Sequence, residues 1–274
     1  MKKILALVMM LAIMLVQVPT AKCTTVMDKL VVLGDSIAFG YGIEKPEDVY
    51  GYIVAKERDY ELINDAVSGD TTSDLLAILE KNNKVKDDVK SAETVVISIG
   101  GNDFLHLGYE SSFSELSEII SKGKDSKIIK NMVKTVESNI RSIHQCITEL
   151  NPNCKIILQT VYNPFLGQTD TFTVLLMQLT ELVRQDYIDI YKAEAKTDSN
   201  MVIADVEEKF RTYYNQTKNT SLVQNDYIHP SVKGHKLIAQ MVEKSLDDVH
   251  KASWSSLKKS ADCMIRLAER VITE

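Results

Sequence analysis

The chain has 274 residues, of which 45% are hydrophobic and 26% charged, with 11 glycines and 5 prolines. That is ordinary globular composition, long enough for one large domain core and without the Gly/Pro-rich blocks of long linkers. The net charge of −6 and the lack of a basic stripe exclude nucleic-acid binding through the phosphate backbone.

In chain order, the first segment reads as a targeting signal. Lys2 and Lys3 precede an apolar run from Ile4 to Val18, and Ala21 and Cys23 stand at the −3 and −1 positions of a cleavage site before Thr24. The run falls short of the roughly 20 residues of a membrane span. Lys22 before Cys23 fits a lipoprotein signal poorly. Loss of residues 1–23 removes three lysines and no acid, which leaves 29 bases against 38 acids and a net charge of −9. The expectation is a secreted or extracytoplasmic acidic protein, monomeric, with its main domain over 24–248. An uncleaved signal would make it membrane-anchored.

Five short β-branched runs then alternate with longer stretches of three- and four-residue apolar spacing. Lys29–Leu33 predicts a strand and Val49–Arg58 a helix. Tyr60–Ile63 and Ser73–Asn82 repeat the pair. Thr94–Ile99 is followed by a long rim loop over Phe104–Lys127 and a helix over Ser126–Leu150. Lys155–Thr160 leads through a loop at Tyr162–Thr171 to a helix over Thr173–Lys196. Met201–Ala204 leads through a loop at Tyr213–Asn225 to a last helix over Val232–Leu246. Such alternation predicts an α/β fold, a parallel sheet covered by helices on both faces. Ligands in such sheets bind at the carboxyl ends of the strands.

Polar clusters stand at those ends: "GDSIAFGYG" (34–42), "NDAVSGDTT" (64–72) and "GGND" (100–103), with "DYIHP" (226–230) before the last helix. Acyl transfer needs a nucleophile, a base, an orienter for the base, and donors for an oxyanion. Ser36 is the candidate nucleophile, and a helix N-cap is its plainer use. His229 is the candidate base, with Asp226 three residues earlier as its orienter; a surface-loop histidine is the alternative. Pro230 favours extended backbone at His229 and so keeps it out of the following helix. Gly69 can offer a backbone N–H at close approach because it lacks a Cβ. Asn102 offers a side-chain amide, or else belongs to an ordinary turn with Asp103. Asp35 and Asp103 read as residues that hold loops, and Asn64 as a loop stabiliser. His235 reads as a packing or capping residue. His106 is a candidate for the cleft wall, and His144 and His250 have no evident partner.

The four blocks, in order, resemble the SGNH or GDSL-type hydrolases, a family of esterases, lipases, thioesterases and acetyl-esterases; the resemblance covers roughly residues 28 to 247. It implies a flavodoxin-like three-layer α/β/α sandwich with five parallel strands. It also implies Ser36, Asp226 and His229 as the catalytic triad, and Ser36, Gly69 and Asn102 as the oxyanion hole. No metal or organic cofactor is implied. The partner expected is a small-molecule, lipid or carbohydrate ester. The activity expected is that of an exported serine ester hydrolase, with a carbohydrate or peptidoglycan O-acetylesterase, or a lysophospholipase or thioesterase, as alternatives. A catalytically silent exported binding domain is the non-enzyme alternative.

Apolar and aromatic residues in the rim loops, among them Leu105, Tyr109, Phe113, Tyr162 and Phe165, suit an acyl chain or an aromatic leaving group, or merely pin the loops. Cys146 and Cys154 allow a disulfide in an exported chain, or pack as two small apolar residues. Beyond Leu246, Leu257, Ala261, Met264, Ile265, Ala268 and Ile272 form an apolar stripe at helical spacing, flanked by lysines and arginines. This extension over 249–274 either packs on the domain or lies on a membrane surface.

Overall fold

The computed structural model describes residues 27–248. The targeting segment, Cys23, His250, Trp254, Cys263 and the C-terminal extension lie outside the described residues.

Five parallel strands form one sheet in the order β2-β1-β3-β4-β5. They are β1 Lys29–Gly34, β2 Glu61–Asn64, β3 Thr94–Ser98, β4 Lys155–Gln159 and β5 Met201–Ala204. The helices are α1 Ser36–Phe39, α2 Tyr50–Glu57, α3 Thr72–Lys81, α4 Asn83–Lys90, α5 Gly101–Glu110, α6 Phe113–Lys122, α7 Lys127–Leu150, α8 Thr171–Ala195 and α9 Val206–Thr217. A final helix, α10, runs over 232–248 to the end of the described residues.

The central strands are apolar over their middle residues because both faces are covered. Successive side chains point to opposite sides of a strand. Val31, Leu33, Val95, Ile97, Ile156 and Leu158 pack into the core formed with α3 to α8. Leu30, Val32, Val96 and Ile157 pack into the second core, with α2, α9 and α10. The sheet with helices on both faces is the three-layer α/β/α sandwich expected.

Four helices, α4, α5, α6 and α9, stand where none was expected from the sequence. The expected rim loop over Phe104–Lys127 is α5 and α6 with a 3₁₀ turn at Gly123–Asp125. Ser112 and Glu115 close a capping box at the start of α6, each side chain bonding the other's backbone N–H. The loop expected from Tyr213 begins inside α9. Cys146 and Cys154 are both unpaired. Burial pushes the Cys154 thiol up to about 12, as suits a small apolar residue.

The order 2-1-3-4-5 reverses direction between β1 and β3, which makes the carboxyl ends of these two strands the switch point of the sheet. Gly34 and Ser98 face each other there. A Cβ on Gly34 would stand 1.9 Å from the Ser98 carbonyl oxygen, so only glycine permits this pairing. The Asp35 N–H donates to the same carbonyl at 3.0 Å.

Candidate active site

The turn from β1 to α1 places Ser36. Asp35, not Ser36, is the N-cap: its Oδ1 accepts from the Ile37 N–H at 3.0 Å. Ser36 occupies the first helical position, where the backbone N–H has no intrahelical partner. Its hydroxyl is therefore not used as a cap. Asp35 is only 2% exposed, and burial, with Asp103 nearby, pushes its carboxyl up to about 7 against the backbone N–H groups that stabilise the anion.

The loop before α10 places the histidine. Asp226 makes an Asx turn, its Oδ1 accepting from the N–H groups of Ile228 at 3.0 Å and His229 at 3.1 Å. Its Oδ2 lies 2.6 Å from His229 Nδ1. His229 Nε2 lies 2.9 Å from Ser36 Oγ. In the neutral imidazole these contacts read as Nδ1–H donating to the carboxylate and Nε2 accepting from the serine hydroxyl. Partial burial raises the Asp226 pKa, but the bonds from Ile228 and His229 outweigh it and hold the carboxyl below its ordinary value.

The other two blocks complete the rim. Gly69 stands at φ +95°, a left-handed conformation that favours glycine, and a Cβ there would meet nothing within 4 Å. The positive φ requires glycine for its backbone, and the open space about its Cα leaves the N–H accessible. Asn102 lies in the first turn of α5, opened by Gly100 at φ +111°. One N–H of its amide donates to the Asp70 carbonyl at 2.9 Å, which leaves the second. Asp103 ties α5 to α3 by accepting from the Thr72 N–H at 3.0 Å and the Thr72 hydroxyl at 2.6 Å. Asn64 donates to the Ala38 carbonyl and accepts from the Ala66 N–H.

Ser36, Gly69, Asn102 and His229 all line one cleft of about 350 Å³. Its walls include Ile37, Tyr41, Leu105, His106 and Tyr109. Asn102, Leu105, His106 and Tyr109 follow i, i+3, i+4, i+7 spacing, one stripe of α5.

Comparisons with known proteins give the family and the fold. The model of the GDSL-like Lipase/Acylhydrolase family matches residues 32–237. The chain belongs to this family. It is similar to the uncharacterized protein YpmR of Bacillus subtilis (strain 168), at 30% identity over 223 residues, 78% of this chain and 79% of that protein. An arylesterase of Vibrio mimicus is 38% identical over 105 residues, 36% of this chain and 50% of the arylesterase. The lipase Lip_vut3 from a goat rumen metagenome shares the fold, with a TM-score of 0.60 at 21% identity, over 80% of this chain and 97% of that one. The protein is an esterase/lipase-type hydrolase of ester bonds.

Not every residue expected on the rim of this GDSL-type hydrolase lines the cleft. Tyr162 and Phe165 are buried in the two cores instead. Phe113 is exposed, on α6. His235 is buried, its Nδ1 accepting from the Tyr50 N–H at 3.4 Å, and burial pushes its pKa down to about 4. His144 has partners that spacing along the chain did not reveal. Its Nδ1 lies 2.7 Å from Glu194 and its Nε2 3.2 Å from Asp198, which joins α7 to the end of α8. Tyr41 was missed as well: its ring lies over the His229 imidazole, with centroids 4.5 Å apart.

Proposed function

We propose that the protein is an exported serine carboxylic-ester hydrolase whose acyl-enzyme forms on Ser36. The observation that carries this reading is the unbroken chain Ser36–His229–Asp226, at 2.9 and 2.6 Å, facing a cleft beside Gly69 and Asn102. Ser36 Oγ attacks the ester carbonyl carbon as its proton passes to His229 Nε2. The carbonyl π pair moves to oxygen. The N–H groups of Ser36 and Gly69 and the free amide N–H of Asn102 receive that oxyanion. Asp226 holds the imidazole in the reactive tautomer and stabilises the imidazolium. Collapse of the intermediate expels the alkoxide, which takes the proton from His229 and leaves as alcohol. Water then attacks the acyl-enzyme through the same histidine and releases the carboxylic acid.

The apolar and aromatic walls, with Ile37, Leu105, Tyr41 and Tyr109, favour an ester with a compact apolar acyl or aryl group. The arylesterase relative supports the same choice. Export rests on the order of charged, apolar and small residues before Thr24, and N-terminal sequencing of the protein from culture medium, starting at Thr24, is the result expected of it.

Hydrolysis of p-nitrophenyl esters from acetyl to long-chain acyl, by the wild type and by Ser36→Ala, tests the mechanism. The expected result is activity toward short or medium chains and a loss of at least about 10⁴-fold in a folded Ser36→Ala protein. Equal rates in the two proteins would sink the serine mechanism. Inactivity toward all acyl esters with turnover of acetylated glycans would move the assignment to a carbohydrate O-acetylesterase.

A further inference from the structure

Ser36 and His229 are 193 positions apart in the chain and arrive on separate segments. Their hydrogen bond depends on holding the loop before α10 against the segment that follows β1. One side chain outside the four sequence blocks joins the two. Gln224 Nε2 donates to the Tyr41 carbonyl at 2.8 Å and to the Pro230 carbonyl at 2.9 Å. The Gln224 backbone N–H donates to the His229 carbonyl at 2.8 Å. On the other side, the Tyr41 N–H donates to the carbonyl of Ser36 itself at 3.0 Å. The path Ser36–Tyr41–Gln224–His229 thus closes a ring of hydrogen bonds whose last member is His229 Nε2 to Ser36 Oγ.

The local backbone is shaped for this contact. Gly42 stands at φ +77°, and a Cβ there would come within 2.3 Å of Gln224 Oε1. The residue after Tyr41 is therefore one that lets the amide reach the Tyr41 carbonyl. The ring of Tyr41 covers the His229 imidazole at 37° between planes, so holding the Tyr41 backbone also holds the aromatic face over the base. Tyr162 fixes the same loop from below, its hydroxyl donating to the Ile228 carbonyl at 2.6 Å, but it contacts the body of the domain and not the segment of the nucleophile.

We propose that Gln224 is a positioning residue that sets the register of His229 against Ser36. The proposal rests on the serine mechanism above. The chemistry required is specific: both N–H groups of a carboxamide are spent on carbonyl oxygens. A carboxylate has no such donors and would face the two carbonyls with negative charge. A thioether of the same length fills the space and donates nothing.

Gln224→Glu and Gln224→Met are the variants to make, each compared with wild type and Ser36→Ala. Two rates are read: ester turnover, split into kcat and KM, and covalent labelling of Ser36 by a fluorophosphonate, which requires the serine–histidine pair but no natural substrate. Displacing a catalytic group by about 1 Å costs on the order of 10²-fold. The expected result is a 10- to 100-fold fall in kcat and a parallel fall in labelling rate, with KM within about twofold, at temperatures well below each variant's melting point. A lowered Tm with wild-type kcat and labelling would mean a purely structural role and overturn the proposal. So would a change confined to KM. Failure of the fluorophosphonate to label the wild type, with Ser36→Ala fully active, would overturn the serine mechanism and the positioning role with it. Wild-type labelling with unimpaired Gln224 variants would overturn the positioning role alone.

Discussion

The two halves of the site are held in place by different means. Asp35 and Ser36 sit between a central strand and a helix, buried, with Gly34 pressed against the backbone of β3. Their positions follow from the sheet itself. Asp226 and His229 lie on a loop whose sole strand-like contact among the described residues is the bridge between Val223 and Pro230. The Asp226 side chain is 37% exposed, and the loop is held by the side chains of Gln224 and Tyr162. The two carboxylates record the contrast. Burial pushes Asp35 up to about 7, while hydrogen bonding holds Asp226 below its ordinary value. The nucleophile half is thus built with stability at stake, and the base half with rate at stake.

The sharpest way to break that comparison is His229→Ala. Removing the base should lower kcat by about 10⁴-fold, as for other members of a nucleophile–base unit that act together. The imidazole belongs to a surface loop, so thermal unfolding should shift by no more than a few degrees. Calorimetry beside ester turnover reads both quantities. A large loss of Tm would place the base half in the stability-determining part of the fold and dissolve the distinction.

Asp35→Asn probes the other half through pH. Burial pushes the folded carboxyl up to about 7 from its ordinary 3.8. The native state therefore holds a proton that the unfolded chain has lost between those values. Stability contributed by this group is full below about 4, falls as pH rises to about 7, and stays low above it. At 1.36 kcal/mol per unit the difference approaches about 4 kcal/mol. Asn keeps a capping oxygen and has no proton to lose. Denaturant unfolding at several pH values should show Asp35→Asn gaining on the wild type from pH 4 to pH 7. Comparing the two proteins at each pH cancels the opposite slope from His235, whose lowered pKa makes stability fall as pH drops below 6.5. A difference that is flat with pH would mean that Asp35 is ionised without cost where it stands.

The same contrast explains what was legible in the sequence. The five strands were readable to within a residue or so because each is a short apolar run, and the three central ones, β1, β3 and β4, are buried on both faces. The helices α2, α3, α7, α8 and α10 were readable because their apolar spacing is regular. Residues fixed by the sheet, Ser36 and Asn102, stand at strand ends, where the carboxyl-end rule directs attention. Asp226 and His229 are local partners three apart, so the spacing alone suggested the turn. What was hidden is what depends on distant contacts. α5 begins with turn-forming glycines and α4 is mostly polar, so neither presents a plain helical stripe. α6 did carry a signal, the capping-box spacing of Ser112 and Glu115. Gln224 and Tyr41 touch across 183 positions of sequence, and nothing near either residue announces that contact.

The smallest effect expected comes from Gly69→Ala, and it tests whether conformation or space decides that position. A Cβ there meets no described atom within 4 Å, so the cost is that of holding an L-residue at φ +95°. Left-handed backbone costs a non-glycine residue about 1–2 kcal/mol. The variant should fold, with Tm lower by several degrees. Because the added methyl projects where substrate must lie if the Gly69 N–H receives the oxyanion, kcat should fall roughly 10-fold or more, beyond what the strain alone requires. Turnover of a p-nitrophenyl ester series of increasing acyl length reads this directly, since a steric effect grows with acyl size and a purely conformational one does not. Equal loss across the series would assign Gly69 to loop geometry. A graded loss would place its Cα hydrogens against the acyl group, and so put the third oxyanion donor beside the two that the sheet and α5 supply.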